Sequence, residues 1–292
     1  VLKKTYWADG VLLFVAFVWG IMFVFIKEAV GVMEPLGHLA VRFALAALIL
    51  LGGYAACGRS REQINRGLFR HGGILGFWLF LGFMFQTVGT QYTTASKTGF
   101  ITGLCVVLVP LLGALLFKIK LTRITGAGIG IAFAGMAVLS LHISEPVAAG
   151  DIIVLFGSVA FAVHILLTGR YAAHHHPMAL ACVQVAAAAV LNLAGAALFE
   201  DVGQLLRPEI WLNPLVLRAV VIGAVFATAF AYWAQTHFQR YTSATHTAII
   251  FSSEPVFAAA AAVVIGGESI TMQTALGGIL ILSGILIAEL KG

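Results

Sequence analysis

Glu254 stands inside an apolar stretch, directly after Ser252 and Ser253 and before Pro255. An ionisable group at membrane depth is costly and needs a reason to be there. Pro255 removes a backbone donor and frees a carbonyl one turn back, as at broken membrane helices. Glu254, with Ser253 beside it, can serve as a proton site or as an anchor for an ammonium group. It can equally be a structural carboxylate that fixes helix packing. Arg42 cannot deprotonate, so it must bind a carboxylate, pair with Glu28, Glu34 or Glu254, or snorkel to the interface. His164 reads either as a pH-responsive group or as a hydrogen-bonded packing residue. The amides Gln86 and Gln235 can contact a ligand or bond between helices. Trp19, Phe23, Trp78, Phe100, Tyr232 and Trp233 can stack on a planar or cationic ligand, or simply fill helix contacts.

These residues must be positioned by a chain that is 61% hydrophobic and only 10% charged. A soluble domain carries roughly 25% charged residues, so the solvent here is a bilayer. The net charge of +5 sits in short loops and follows no nucleic-acid-binding pattern. Cys57, Cys105 and Cys182 read as small apolar filler rather than as a disulfide or metal site.

Spanning a core roughly 30 Å thick takes about 20 apolar residues in a helix. Ten runs satisfy this: 8–31, 36–56, 68–92, 95–117, 122–141, 149–170, 177–199, 215–240, 243–266 and 270–289. The first is long enough to span rather than to act as a cleaved signal. Pro35, Pro177 and Thr271 mark helix starts, and Gly58 and Gly267 mark stops. With a cytoplasmic N-terminus, twelve of the 17 Lys and Arg residues fall at inner ends, four at outer ends, and Arg42 inside a span. This bias places both termini in the cytoplasm.

The phrase YTTASKT (Tyr92–Thr98) returns as YTSATHT (Tyr241–Thr247), and Gln86-Thr87 returns as Gln235-Thr236, each 149 positions on. Trp19-Gly20 aligns with Phe161-Ala162, Pro35 with Pro177, and Arg42 with Gln184, each 142 apart. Gly135 and Gly284 are 149 apart, and Pro110 and Pro255 are 145 apart. The chain is therefore expected to duplicate a five-span unit, 1–145 and 146–292. Because five is odd, the copies must run antiparallel. The expected architecture is an all-α integral membrane protein of ten helices in two inverted repeats around a central cavity, with alternating access as its natural motion.

Trp19-Gly20, Arg42-Phe43, the repeated Y-T-[ST]-A corner and Glu254-Pro255-Val256-Phe257-Ala258-Ala259, followed by Gly266-Gly267-Glu268, resemble the drug/metabolite transporter superfamily of the EamA type. Within it the overall likeness is to bacterial exporters of aromatic amino acids. The resemblance implies a cavity lined by spans 1–4 and 6–9, with spans 5 and 10 packed behind. It favours Trp19, Trp78 and Trp233 as its aromatic walls. The first copy has Val109-Pro110 where the second has Glu254-Pro255, so no mirrored carboxylate is expected.

The functional expectation is a secondary carrier in a bacterial inner membrane that exports amino acids or similar metabolites. Efflux of lipophilic or aromatic cations is the alternative, with Glu254 as counter-charge. No enzymatic constellation and no P-loop is present, and no cofactor is expected. His174–His176 fits a cytoplasmic turn rather than a metal site. Gly126-x-x-x-Gly130 reads as close helix packing. The partners are a small-molecule substrate and the bilayer, and the oligomeric state, a monomer included, is left open.

Overall fold

The computed structural model describes residues 2–56, 64–140, 147–266 and 271–289. Helices α1 (Leu2–Ala29), α2 (Pro35–Ala56), α3 (Arg66–Gln91), α4 (Ala95–Gly103), α5 (Cys105–Phe117) and α6 (Arg123–Ser140) form the first half. The second half carries α7 (Ala149–Tyr171), α8 (Pro177–Phe199), the short α9 (Pro208–Leu212), α10 (Pro214–Ala224), α11 (Ala231–Phe238), α12 (Ala244–Phe251), α13 (Glu254–Gly266) and α14 (Met272–Glu289). No strand occurs among the described residues. Among the described residues, seven helical stretches are long and apolar enough to cross a membrane, and α6 and α14 contain shorter apolar helices. An uninterrupted helix satisfies its own backbone in lipid, which is why apolar runs of this length take that form.

Pro35 and Pro177 open α2 and α8, where a missing N–H costs nothing. Gly58 and Gly267 lie outside the described residues. Two runs read as single helices are interrupted. Leu104 separates α4 from α5, and Ser252-Ser253 separates α12 from α13. Pro255 sits in the first turn of α13, so its missing N–H cannot donate to Phe251, one turn back. A third irregularity is the π-helical segment Val225–Phe230 between α10 and α11.

The repeated corners have a local cause. Thr94 Oγ1 caps α4 by accepting from Lys97 N at 3.1 Å, and Ser243 Oγ caps α12 by accepting from His246 N at 3.0 Å. Such caps satisfy helix-start donors that would otherwise lack partners. Thr98 and Thr247 hydroxyls donate back to the cap carbonyls at 2.9 and 3.0 Å. The cationic position of each phrase then reaches the other half of the chain. Lys97 Nζ lies 3.7 Å from Asp151 of α7, and His246 Nε2 lies 3.2 Å from Asp9 of α1. Asp9 and Asp151 are themselves 142 positions apart.

Glycine sets the closest helix approaches. A Cβ on Gly128 would meet Gly284 O at 2.7 Å, and one on Gly284 would meet Ala132 N at 2.5 Å. Gly135 is pressed as closely on Ile281 N, at 2.6 Å. Backbone packed on backbone joins α6 to α14, with only glycine tolerated at the contact. Gly126 and Gly130 face open space, so the close-packing role assigned to them falls instead to Gly128 and Gly135. They occupy a different face of the same helix.

Candidate functional site

One cavity lies at the centre of the helices, with an enclosed free volume of about 60 Å³. That is room for a few water molecules. Its wall draws on α1, α2, α3, α4, α5, α7, α11, α12 and α13. None of its residues comes from α6 or α14.

Of the candidates named from sequence, Trp19, Phe23, Arg42, Gln86, His164, Tyr232 and Glu254 line this cavity, and so does Gln235. Trp78, Phe100, Trp233 and Ser253 do not. Trp78 packs edge-on against its neighbour Phe77. Phe100 joins the core formed with Ile129 and Met136 of α6. Trp233 lies against Phe230 and His237, with ring centroids 6.0 and 5.8 Å away. Ser253 Oγ donates to Ile250 O at 2.7 Å, and Ser252 takes its place in the wall.

The two charged residues reach the cavity by different devices. Gly20 lets α1 close on the first turn of α13; a Cβ there would lie 2.6 Å from Glu254 O. The break at Ser252-Ser253 puts Glu254 at the N-terminus of α13, where the helix dipole favours negative charge. Glu254 is only 7% exposed, and it forms no ion pair among the described residues. Arg42 is 1% exposed. Its Nε donates to Thr228 Oγ1 at 2.8 Å and its Nη2 to Ala227 O at 3.4 Å. Trp19 Nε1 donates to the same carbonyl at 2.9 Å. Ala227 and Thr228 belong to the π-helical segment, whose widened turn leaves acceptors outside the regular ladder.

The expectation that Arg42 pairs with Glu28, Glu34 or Glu254 is corrected. Glu28 pairs with Arg218, and Glu34 accepts from Gln204 Nε2 and Asp201 N. The Arg42 guanidinium instead lies 5.0 Å from the Phe83 ring centre, and its Nη1 has no hydrogen-bond partner among the described residues. His164 has the hydrogen-bonded partner of its packing reading. It lines the cavity and is held by Gln184 Oε1 at 2.8 Å, while Gln184 donates onward to Thr236 at 2.9 Å. Gln86 donates to Thr102 at 2.9 Å.

Residues missed from sequence were within reach of the repeat offsets. Phe161, His164 and Ile165 follow Trp19, Met22 and Phe23 by 142 positions; Tyr232, Gln235, Phe251 and Ser252 follow Phe83, Gln86, Thr102 and Gly103 by 149. All fourteen line the wall. By the same offset the counterpart of Glu254 in the wall is Cys105, not Val109: α5 and α13 run in step 149 positions apart, so Pro110 and Pro255 are not equivalent positions. Arg42 corresponds to Gln184. The wall therefore carries one cation and one carboxylate; Cys105 lines it too, whereas Gln184 lies outside it and bonds to His164 and Thr236.

A chain whose described residues form helices and no strands around a central cavity has clear relatives. The profile of the EamA-like transporter family matches residues 6–141 and again 148–290. An uncharacterized transporter of Archaeoglobus fulgidus is 33% identical over 288 residues, covering 99% of this chain and 87% of the relative. The uncharacterized transporter YyaM of Bacillus subtilis is 26% identical over 281 residues, covering 92% of this chain and 89% of the relative. A solved crystal structure superposes with a TM-score of 0.79 over 99% of this chain and 96% of its own, at 19% identity, which speaks to the fold alone. The helical layout, the twofold profile match and the relatives converge: this chain belongs to the EamA-like transporter family, a family of membrane transporters and not of enzymes.

Proposed function

We propose that the chain is a secondary carrier that exports amino acids or similar small zwitterionic metabolites across a bacterial inner membrane by alternating access. The observation that carries this reading is that Arg42 and Glu254 line one cavity, neither matched to an opposite charge of the protein among the described residues. An amino acid brings both missing charges, with aromatic rings of Trp19, Phe83 and Tyr232 around them. Efflux of lipophilic cations uses only Glu254 and leaves Arg42 a buried like charge, which such a ligand would meet unfavourably. The direct test is counterflow of labelled amino acids in liposomes. Saturable exchange is expected; a leak that does not saturate, or exchange of lipophilic cations alone, would overturn the reading.

The same proposal takes residues 1–145 and 146–292 as two inverted five-helix units, ten crossings in all, with both termini cytoplasmic. Support comes from packing that recurs on exchanging the halves. Helix α3 packs on α7 as α1 packs on α10 and α11, and α5 packs on α12 as α4 packs on α13. The contacts Lys97–Asp151 and Asp9–His246, and the two helix breaks, obey the same exchange. In a variant without native cysteines, Tyr92→Cys is expected to react with an impermeant thiol reagent from outside the cell and Tyr241→Cys only after the inner face is opened. Both residues are exposed, at 61% and 39%. Equal labelling from outside would sink the topology.

A further inference from the structure

A second polar hollow, of about 440 Å³, is bounded by Arg70, His71, Arg170, Tyr171 and His174. It lies where α3 begins and α7 ends, well away from the central cavity. No acidic side chain lines it, and neither arginine forms an ion pair among the described residues. Its parts are held in place. The His71 ring stacks flat on Tyr171, 4.1 Å between centroids and 2° from parallel, and its Nδ1 is 2.8 Å from His175 Nε2. The Arg170 guanidinium rests 5.5 Å from the Phe117 ring centre. Burial, then the neighbouring His71 and His174, hold the His175 imidazole below its ordinary pKa. The two arginines give the hollow a permanent positive charge.

Two guanidiniums converging on one hollow without a carboxylate repel each other until an anion enters. Planar guanidinium forks match the oxygens of phosphate better than those of chloride, and ring N–H groups add further donors. At a membrane-facing helix end, such basic pockets between helices are at the depth of lipid headgroups. We propose that this hollow is a binding site for a phosphate oxyanion, whether a lipid phosphate headgroup or free phosphate. The side of the membrane it faces follows from the orientation proposed above; its ligand chemistry does not depend on that orientation, nor on the identity of the transported substrate.

The test uses the purified full chain in neutral detergent, with thermal unfolding followed in two titrations. One adds phosphatidylglycerol against a phosphatidylcholine background, and the other adds inorganic phosphate against chloride at equal ionic strength. Wild type is expected to be stabilised in at least one titration. Stabilisation by lipid alone identifies a headgroup site, and stabilisation by both identifies free phosphate as sufficient. The exposed pair R70Q/R170Q should weaken the apparent affinity about tenfold or more, while K120Q/R123Q, which alters nearby surface charge, should leave it unchanged. If the double variant does not fold, R70Q alone carries the comparison. No stabilisation of wild type, an unaltered titration in the arginine variants, or an equal loss in K120Q/R123Q would overturn the site.

Discussion

Arg42→Gln is expected to weaken transport of a zwitterionic amino acid by roughly ten- to a hundredfold, chiefly through half-saturation. Charge-assisted hydrogen bonds contribute about 1.5–3 kcal/mol, and each 1.4 kcal/mol is about a factor of ten. The loss should depend on the ligand. An amine that has the same side chain but lacks the carboxylate gains nothing from Arg42, so its uptake should change little or improve. Arg42→Lys keeps a charge but not the planar fork, and should fall between. Arg42 is also tied to Thr228 and Ala227, so a structural role has to be separated from a binding one. A purely structural role would reduce both ligands equally and lower folded yield. Transport of amino acid and amine that falls in parallel would therefore remove Arg42 from substrate recognition.

How far this site could be read from sequence depends on which signal each residue leaves. Apolar runs of sufficient length leave a strong one, because lipid admits so few backbone solutions. The two corners were equally legible, since each cap needs a small hydroxyl at a set position before the helix. Orientation about the helix axis was not. A membrane helix is apolar nearly all round, so hydrophobic period does not say which side faces inward. Trp78 and Phe83 both lie on α3, yet only Phe83, one turn from Gln86, reaches the cavity. Polar residues are the usable markers of the inner face. Trp19, Met22, Phe23 and Ile26 line the cavity at helical spacing as an essentially apolar stripe, which leaves no such marker. The π-helical turn at Val225–Phe230 left no sequence mark, because its residues VFATAF are ordinary membrane-helix types. Without it the acceptors that hold Arg42 and Trp19 could not be foreseen, and acidic partners were the natural expectation. The break at Leu104 was hidden for a similar reason. Its counterpart in the other half is announced by Ser252-Ser253 and Pro255, whereas Gly103 and Leu104 sit in an unbroken apolar run.

Glu254→Gln is expected to leave a folded carrier that still exchanges substrate but is no longer accelerated by a pH gradient. The carboxylate is buried in the cavity wall, and no cation of the protein pairs with it among the described residues. A buried carboxylate left alone must be met by a proton or by a ligand cation. Alternation between those two partners couples a proton to each substrate: the ammonium of the substrate displaces a proton on binding, and a proton returns when the substrate leaves. Glutamine preserves shape and part of the hydrogen bonding but offers no exchangeable charge. Counterflow, which needs no net driving force, should therefore survive, with weakened affinity for ammonium-bearing ligands. Accumulation driven by an acid-inside gradient should fall to the level seen without one. Cys105, the counterpart of Glu254 across the cavity, supplies a control, because Cys105→Ser leaves both charges in place and should keep the gradient response. Gradient-driven accumulation at wild-type level in Glu254→Gln would take this carboxylate out of the coupling, leaving it a structural group of the cavity wall.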